Sequence, residues 1–125
     1  MNEATSPEKV GELTQAVIDA LGLSMKAGQE ILLGDTNKLH MQTKHAGDYA
    51  CYGGYIPAIL AKPNYVGLNQ KDNSIEYVKE FQEHGEYVKV AVRVSLGGTL
   101  FARSLYALNR QKVVKYIKNG TLKKP

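Results

Sequence analysis

The apolar positions of this chain change period near its middle. Before about residue 64 they recur at helical spacing, and after it they alternate. In "SPEKVGELTQAVIDALGL", Val10, Leu13, Val17 and Leu21 fall on one helical face. Ser6, Pro7 and Glu8 stand where an N-cap, a first helical residue and a first-turn carboxylate belong, so a helix is predicted from there. "MKAGQEILLG" reads as a loop followed by a short strand. Asp35 or Thr36 then caps a helix running to about His45. "HAGDYACYGGY" is rich in glycine and tyrosine and reads as a mobile loop. "YIPAILAKP" makes one or two helical turns, ended by Pro63.

The second half reads as strands. "NYVGLNQ" and "SIEYVKEF", joined by the turn-like "KDN", form a predicted hairpin. In "YVKVAVRVS", Val88, Val90, Val92 and Val94 face one way, and Tyr87, Lys89, Ala91, Arg93 and Ser95 face the other. That pattern belongs to a strand with one buried and one open face. "LGG" turns the chain into "TLFARSLYALN", a further strand. "RQKVVKYIKNG" is a closing helix with Val113, Val114 and Ile117 inward and Gly120 as its stop. The expected fold is therefore α+β: N-terminal helices, an antiparallel sheet of about four strands, and a basic C-terminal helix. A single domain is expected over 1–125, with 1–29 as a helical part and 30–125 as the helix-plus-sheet core.

Charge sharpens the picture. Seven basic and all twelve acidic residues precede Tyr87, whereas nine basic residues and no acidic one follow Glu86. The first 86 residues carry a formal −5 and the last 39 a formal +9. Such asymmetry fits a polyanionic partner on the C-terminal third, or a solvated basic helix with a lysine tail. A single cysteine, Cys51, excludes an internal disulfide and a cysteine-rich zinc site. The apolar runs are too short to span a bilayer, and the chain does not open on a secretory signal.

Candidate chemistry lies in "KLHMQTKH". On a helix His40 and His45 point about 140° apart, a poor zinc pair, and no third ligand accompanies them. A lone helical histidine is most often structural or solvent-facing. On the strands, Lys89 and Arg93 project together from one face. Arg103 has opposite parity to Ser104 and Tyr106, whereas Phe101 and Leu105 share its parity. Ser104 and Tyr106 are therefore the expected site-facing pair, unless a bulge intervenes. Lys79 shares parity with Ile75, Tyr77 and Phe81, so it either snorkels from an apolar set or is placed for chemistry. RNA cleavage needs a base for the 2′-hydroxyl, an acid for the 5′-oxygen and cations for the phosphorane. These residue types permit that chemistry without specifying it.

The stretches "KLHMQTKH", "GDYACYGGYIPAIL", "KPNYVGLNQKDNSIEYVKEF", "YVKVAVRVS", "FARSLYALN" and "YIKNGTLKK" resemble, in order and spacing, the phage-associated nuclease-like domains grouped with barnase, EndoU, colicin E5/D and RelE. The likeness spans about residues 30–124. One departure is Ala46, where a proline is expected after the second histidine. The resemblance implies helices preceding an antiparallel sheet, and a metal-independent endoribonuclease toxin without a cofactor. Its substrate would be RNA, tRNA or non-specific single strands, cut to 2′,3′-cyclic phosphate and 5′-hydroxyl ends.

Carried over position by position, His40 and His45 match the family's paired histidines. His45, near the helix end and next to the expected mobile loop, is the first choice for general acid or base and His40 the second. Lys79 and Arg93 would stabilise the phosphorane, and Ser104 and Tyr106 would hold phosphate or base. Lys89, Arg103, Lys44 and Tyr77 complete the set as substrate-binding candidates. The resemblance further implies a monomer with an acidic immunity or antitoxin partner and no membrane association. It would act in the cytoplasm of a target bacterium or of a prophage host, delivered within a larger secreted or phage-head-associated protein. The competing reading is a non-catalytic module that binds nucleic acid or an acidic protein through the basic C-terminal third. What separates the two is whether His40 or His45 lies within reach of Lys79, Arg93 and Ser104.

Overall fold

The computed structural model describes residues 7–125; the expected N-cap Ser6 lies outside them. The described residues open on a strand, β1 (Glu8–Glu12), where a helix was expected. The first helix, α1 (Gln15–Leu21), is capped by Thr14, whose Oγ1 accepts the Val17 N–H at 3.3 Å. It stops at Gly22, which takes the left-handed φ of 64° that ends helices. Val10 and Val17 are both buried, but from different elements. Spacing of three and four residues does not distinguish one continuous helix from a strand joined to a helix. Gly11 lets the strand lie close to Leu60: a β-carbon there would meet that side chain at 3.1 Å.

Strand β2 (Glu30–Leu33) leads into α2 (Asp35–Lys44), whose entry is tied by the Gly34 N–H donating to Asn37 Oδ1 at 2.9 Å. The segment expected to be a mobile loop is instead helix α3 (Ala46–Tyr52), followed by a 3-10 turn (Gly53–Tyr55) and α4 (Ile56–Ala61). One of its glycines, Gly53, makes room for a tyrosine. A β-carbon on Gly53 would lie 2.9 Å from the Tyr49 ring, and Tyr52 is fully buried. The remaining elements are β3 (Tyr65–Leu68), β4 (Ile75–Phe81), β5 (Glu86–Val94), β6 (Leu100–Leu108) and α5 (Arg110–Lys118).

The fold is α+β, but the sheet has six strands in the order β1-β2-β6-β5-β4-β3, interleaved with the helices. It is mixed: β2 runs parallel to β6, and all other pairs are antiparallel. The β3–β4 hairpin and the "LGG" turn form as the alternation requires. One face, bearing Ile31, Ile75, Tyr77, Val88, Val90, Val92, Leu100 and Leu105, is buried with Val17, Tyr52, Ile56 and Ile59 from the helices. On the other face α5 covers one end only, packing Val113 with Val78, Tyr87, Leu108 and Leu122. Val114, expected inward, is exposed. The C-terminal tail pairs Lys123 with Val66, covering the outer edge of β3. No helix among the described residues is long and apolar enough to cross a membrane.

Candidate active site

The part of the sheet that α5 leaves uncovered carries charge. Lys89 faces Tyr106 on β6, while Ala91 faces Glu76 on one side and Ser104 on the other. Directly paired residues of antiparallel strands project from one face, so these side chains share a surface. Ala91 is the smallest of them and lies at their centre, which leaves the floor of the surface low. Arg93 faces Phe101 one step further along.

A bulge in β6 sets this arrangement. The register shifts between Ala91 and Val92, whose partners are Ser104 and Ala102, leaving Arg103 as the extra residue. Ser104 and Tyr106 therefore reach the open face, as the parity argument expected. Phe101, expected to share the side of Leu105, is carried across to the open face instead. Arg103 is exposed on the bulge.

Beyond its two residue pairs with β2, β6 presents a free edge, and α3 comes up against it. The Ala107 N–H donates to Asp48 Oδ2 at 3.0 Å. His45 is the junction between α2 and α3, with a non-helical φ of −141° and ψ of 59°. Its N–H donates to the Met41 carbonyl at 3.0 Å, closing α2, and its carbonyl accepts from the Tyr49 N–H at 2.9 Å, opening α3. The backbone of His45 is thus held from both sides while its side chain stays exposed. Its ring stacks on Tyr106, with centroids 5.0 Å apart and planes at 26°.

Tyr106 also carries a cation, since Lys89 Nζ lies 4.9 Å from its ring centroid. Lys89 donates to Glu76 Oε2 at 3.1 Å, with both side chains largely buried, and Asn69 Nδ2 donates to the same oxygen at 3.3 Å. Burial opposes the charge on Lys89, but Tyr106 and Glu76 outweigh it, and the ammonium is held above its ordinary pKa. Asp72, in the hairpin turn, is held below the usual carboxylate range by Ser74, with the Arg93 charge adding to the effect. The result is a line of His45, Tyr106, Lys89 and Glu76 across three strands, with Arg93 and Ser104 on the same face.

Not all of the expected residues join this line. Lys79 pairs with Val88 on the helix-covered face, and its Nζ donates to the Lys62 carbonyl at the end of α4 at 2.9 Å. It caps a helix there, on the opposite side of the sheet from Lys89. Tyr77 is a core residue, fully buried, and its hydroxyl has no partner among the described residues. A substrate cannot touch it. His40 and Lys44 are exposed on α2, and their side chains make no hydrogen bond or ring contact among the described residues.

Glu76 was missed. It sits in "SIEYVKEF" and reads as one more solvated charge on an alternating strand. The available signal was its register with Val78 in mid-strand, which places a carboxylate on a face that is partly covered. His84, in the turn before β5, also makes contacts. Its Nδ1 is 2.8 Å from the Tyr52 hydroxyl, which donates to Glu86 Oε1 at 2.5 Å. Among the described residues no three His, Cys, Asp or Glu side chains gather as metal ligands.

No curated protein and no solved structure gives a significant match to the chain. A family model does match, over residues 8–115, which takes in every element from β1 into α5. The chain belongs to the phage-Barnase-EndoU-ColicinE5/D-RelE like nuclease3 family.

Proposed function

We propose that this nuclease-family domain is an endoribonuclease that needs no metal ion and works on the open face of its sheet. The observation that carries the reading is the His45–Tyr106 stack, which brings an imidazole to the same face as Lys89, Arg93 and Ser104. Imidazole exchanges protons near neutral pH, and the two cations suit a pentavalent phosphorane. Glu76 is the second proton carrier, two strands across from Tyr106 and two residues further along, or roughly 12 Å between backbones on that diagonal. A phosphodiester laid over Ala91 would lie between the two.

In this reading one of the pair removes the proton from the 2′-hydroxyl, whose oxygen attacks phosphorus. The other protonates the departing 5′-oxygen. The P–O5′ bond breaks as the P–O2′ bond forms, leaving a 2′,3′-cyclic phosphate and a 5′-hydroxyl. Lys89 replaces Lys79 as the lysine that faces the phosphate. His40, exposed on α2, has no part in the step. A toxin role, with an acidic immunity protein over the cationic face, is the biological setting that the reading favours.

Incubating the protein with total bacterial RNA in EDTA tests the proposal. Fragments with 2′,3′-cyclic ends, lost in His45→Ala and retained in His40→Ala, are the expected outcome. A folded protein that cuts no RNA, or cuts it only with added divalent cation, would overturn the reading.

A further inference from the structure

Next to the open face, and outside the line of residues just described, lies a cleft of about 530 Å³ between the start of α2 and the β5–β6 hairpin. Asp35 and Asn37 line one wall, and Ser95, Phe101 and Arg103 line the other. We infer that this cleft is a nucleotide subsite, which takes the base and sugar of a single-stranded RNA residue flanking the scissile phosphate. The inference rests on the ribonuclease reading above.

Three observations point to that ligand. First, the cleft and the candidate active site share β6: Phe101 and Arg103 line one, and Ser104 and Tyr106 line the other. An RNA strand leaving the Ser104 position toward the start of β6 enters the cleft. Second, the bulge at Arg103 is what turns Phe101 to this side of the sheet. Without the extra residue, strict alternation would place Phe101 with Leu105 in the core. The ring is partly exposed and forms an apolar floor, which suits the face of an unpaired base. The same bulge leaves Arg103 exposed at the rim, where its guanidinium can meet a phosphate.

Third, the opposite wall offers hydrogen bonds of both senses. Asn37 uses its side-chain oxygen on the Gly34 N–H, so the amide N–H2 is free to donate, and the Asp35 carboxylate accepts. Aromatic floor, cation at the rim and mixed donors on the wall together match one nucleotide better than a purely apolar or purely anionic ligand. The arrangement assigns Phe101 to base stacking, Arg103 to phosphate, and Asp35 with Asn37 to the base edge.

The test titrates 15N-labelled protein with 5′-AMP, 5′-GMP, 5′-CMP and 5′-UMP, following backbone amides by NMR. In parallel, cleavage is measured on an RNA panel that varies the bases beside the cut. Saturable shifts at Asn37, Ser95, Phe101 and Arg103, with one base favoured, are expected. Phe101→Leu should weaken binding roughly tenfold, the effect of losing one base–aromatic stack, and flatten the sequence preference of cleavage. Arg103→Ala, on an exposed bulge that does not threaten the fold, should weaken all four nucleotides alike. His45→Ala should abolish cleavage and leave these shifts intact. Shifts confined to Lys89 and Tyr106, or a sequence preference unchanged in Phe101→Leu, would overturn the inference even if RNA is cut. Nucleotides that bind the cleft of a protein that cuts no RNA would sink the ribonuclease reading and keep the cleft as a nucleotide site.

Discussion

Asp48 accepts the Ala107 N–H at 3.0 Å, and this bond sets where His45 meets Tyr106. His45 immediately precedes α3, whose first turn carries Asp48, and Tyr106 immediately precedes Ala107 on β6. A ring stack alone contributes about 0.5–1.5 kcal/mol, too little to fix a helix against a strand edge. A hydrogen bond to a carboxylate, about 1.5–3 kcal/mol, can do so.

Asp48 is thus a positioning residue. Asp48→Ala should cost about 1–2 kcal/mol of stability, because a strand-edge N–H loses its acceptor. If the domain cuts RNA as proposed, it should lower kcat about tenfold while leaving KM near its original value, since Lys89 and Arg93 stay in place. Asp48→Asn keeps an acceptor oxygen and should restore most of kcat. A parallel loss in KM, or no rescue by Asn, would show that Asp48 acts otherwise.

Glu76 and Lys89 form an ion pair whose side chains are only 11% and 12% exposed, so removing either partner strands a buried charge. Lys89→Met should destabilise the fold by about 3–5 kcal/mol, and the double change with Glu76→Gln by clearly less than the two single costs combined. Denaturant melts of the four proteins give that cycle. The pH dependence has a defined sign. The folded pKa of Lys89 is raised above 10.5, so its stabilising contribution is complete below pH 10.5 and is lost as the pH rises through the raised value. Wild type should lose stability over that alkaline window, and Lys89→Met should lack this component. Single-mutant costs that simply add would mean that the pair is not coupled.

The alternation of β5 places Lys89 and Arg93 on an open face from the sequence alone, because one buried face leaves a strand no other register. Ser104 and Tyr106 were legible by the same parity. Phe101 was not, since a bulge has no signature in "TLFARSLYALN" beyond the awkward parity of Arg103. β1 was hidden because Val10, Leu13 and Val17 fit a helix as well as a strand joined to a helix. α3 was hidden by the glycines in and after it, of which Gly53 serves close packing against Tyr49. Lys79 drew attention as a charge among apolar residues. Its role is met within ordinary helix capping, a contact between residues far apart in sequence that no local pattern encodes.

Lys79 therefore supports a prediction opposite to that for Lys89. Lys79→Met keeps the stem that lies along the core and removes only the ammonium that caps α4. The expected result is a loss of about 0.5–1.5 kcal/mol in stability with RNA cleavage unchanged. A large drop in cleavage with stability retained would return Lys79 to the active site and contradict its placement on the helix-covered face.

Two buried tyrosines should respond differently to the same substitution. Tyr77 and Tyr52 are both sealed in the core, and burial raises the pKa of both phenols. The Tyr77 hydroxyl has no partner among the described residues, so it bears a desolvation cost with nothing to offset it. The Tyr52 hydroxyl donates to Glu86 and also lies within hydrogen-bond distance of His84. Tyr77→Phe removes an orphaned polar atom while keeping the ring, and should be neutral or stabilising by up to about 1 kcal/mol. Tyr52→Phe leaves Glu86 without its donor and should cost about 1–3 kcal/mol. Thermal melts of the two variants beside wild type decide the matter. Equal destabilisation would mean that the Tyr77 hydroxyl finds a partner in solution, such as a water molecule within the core.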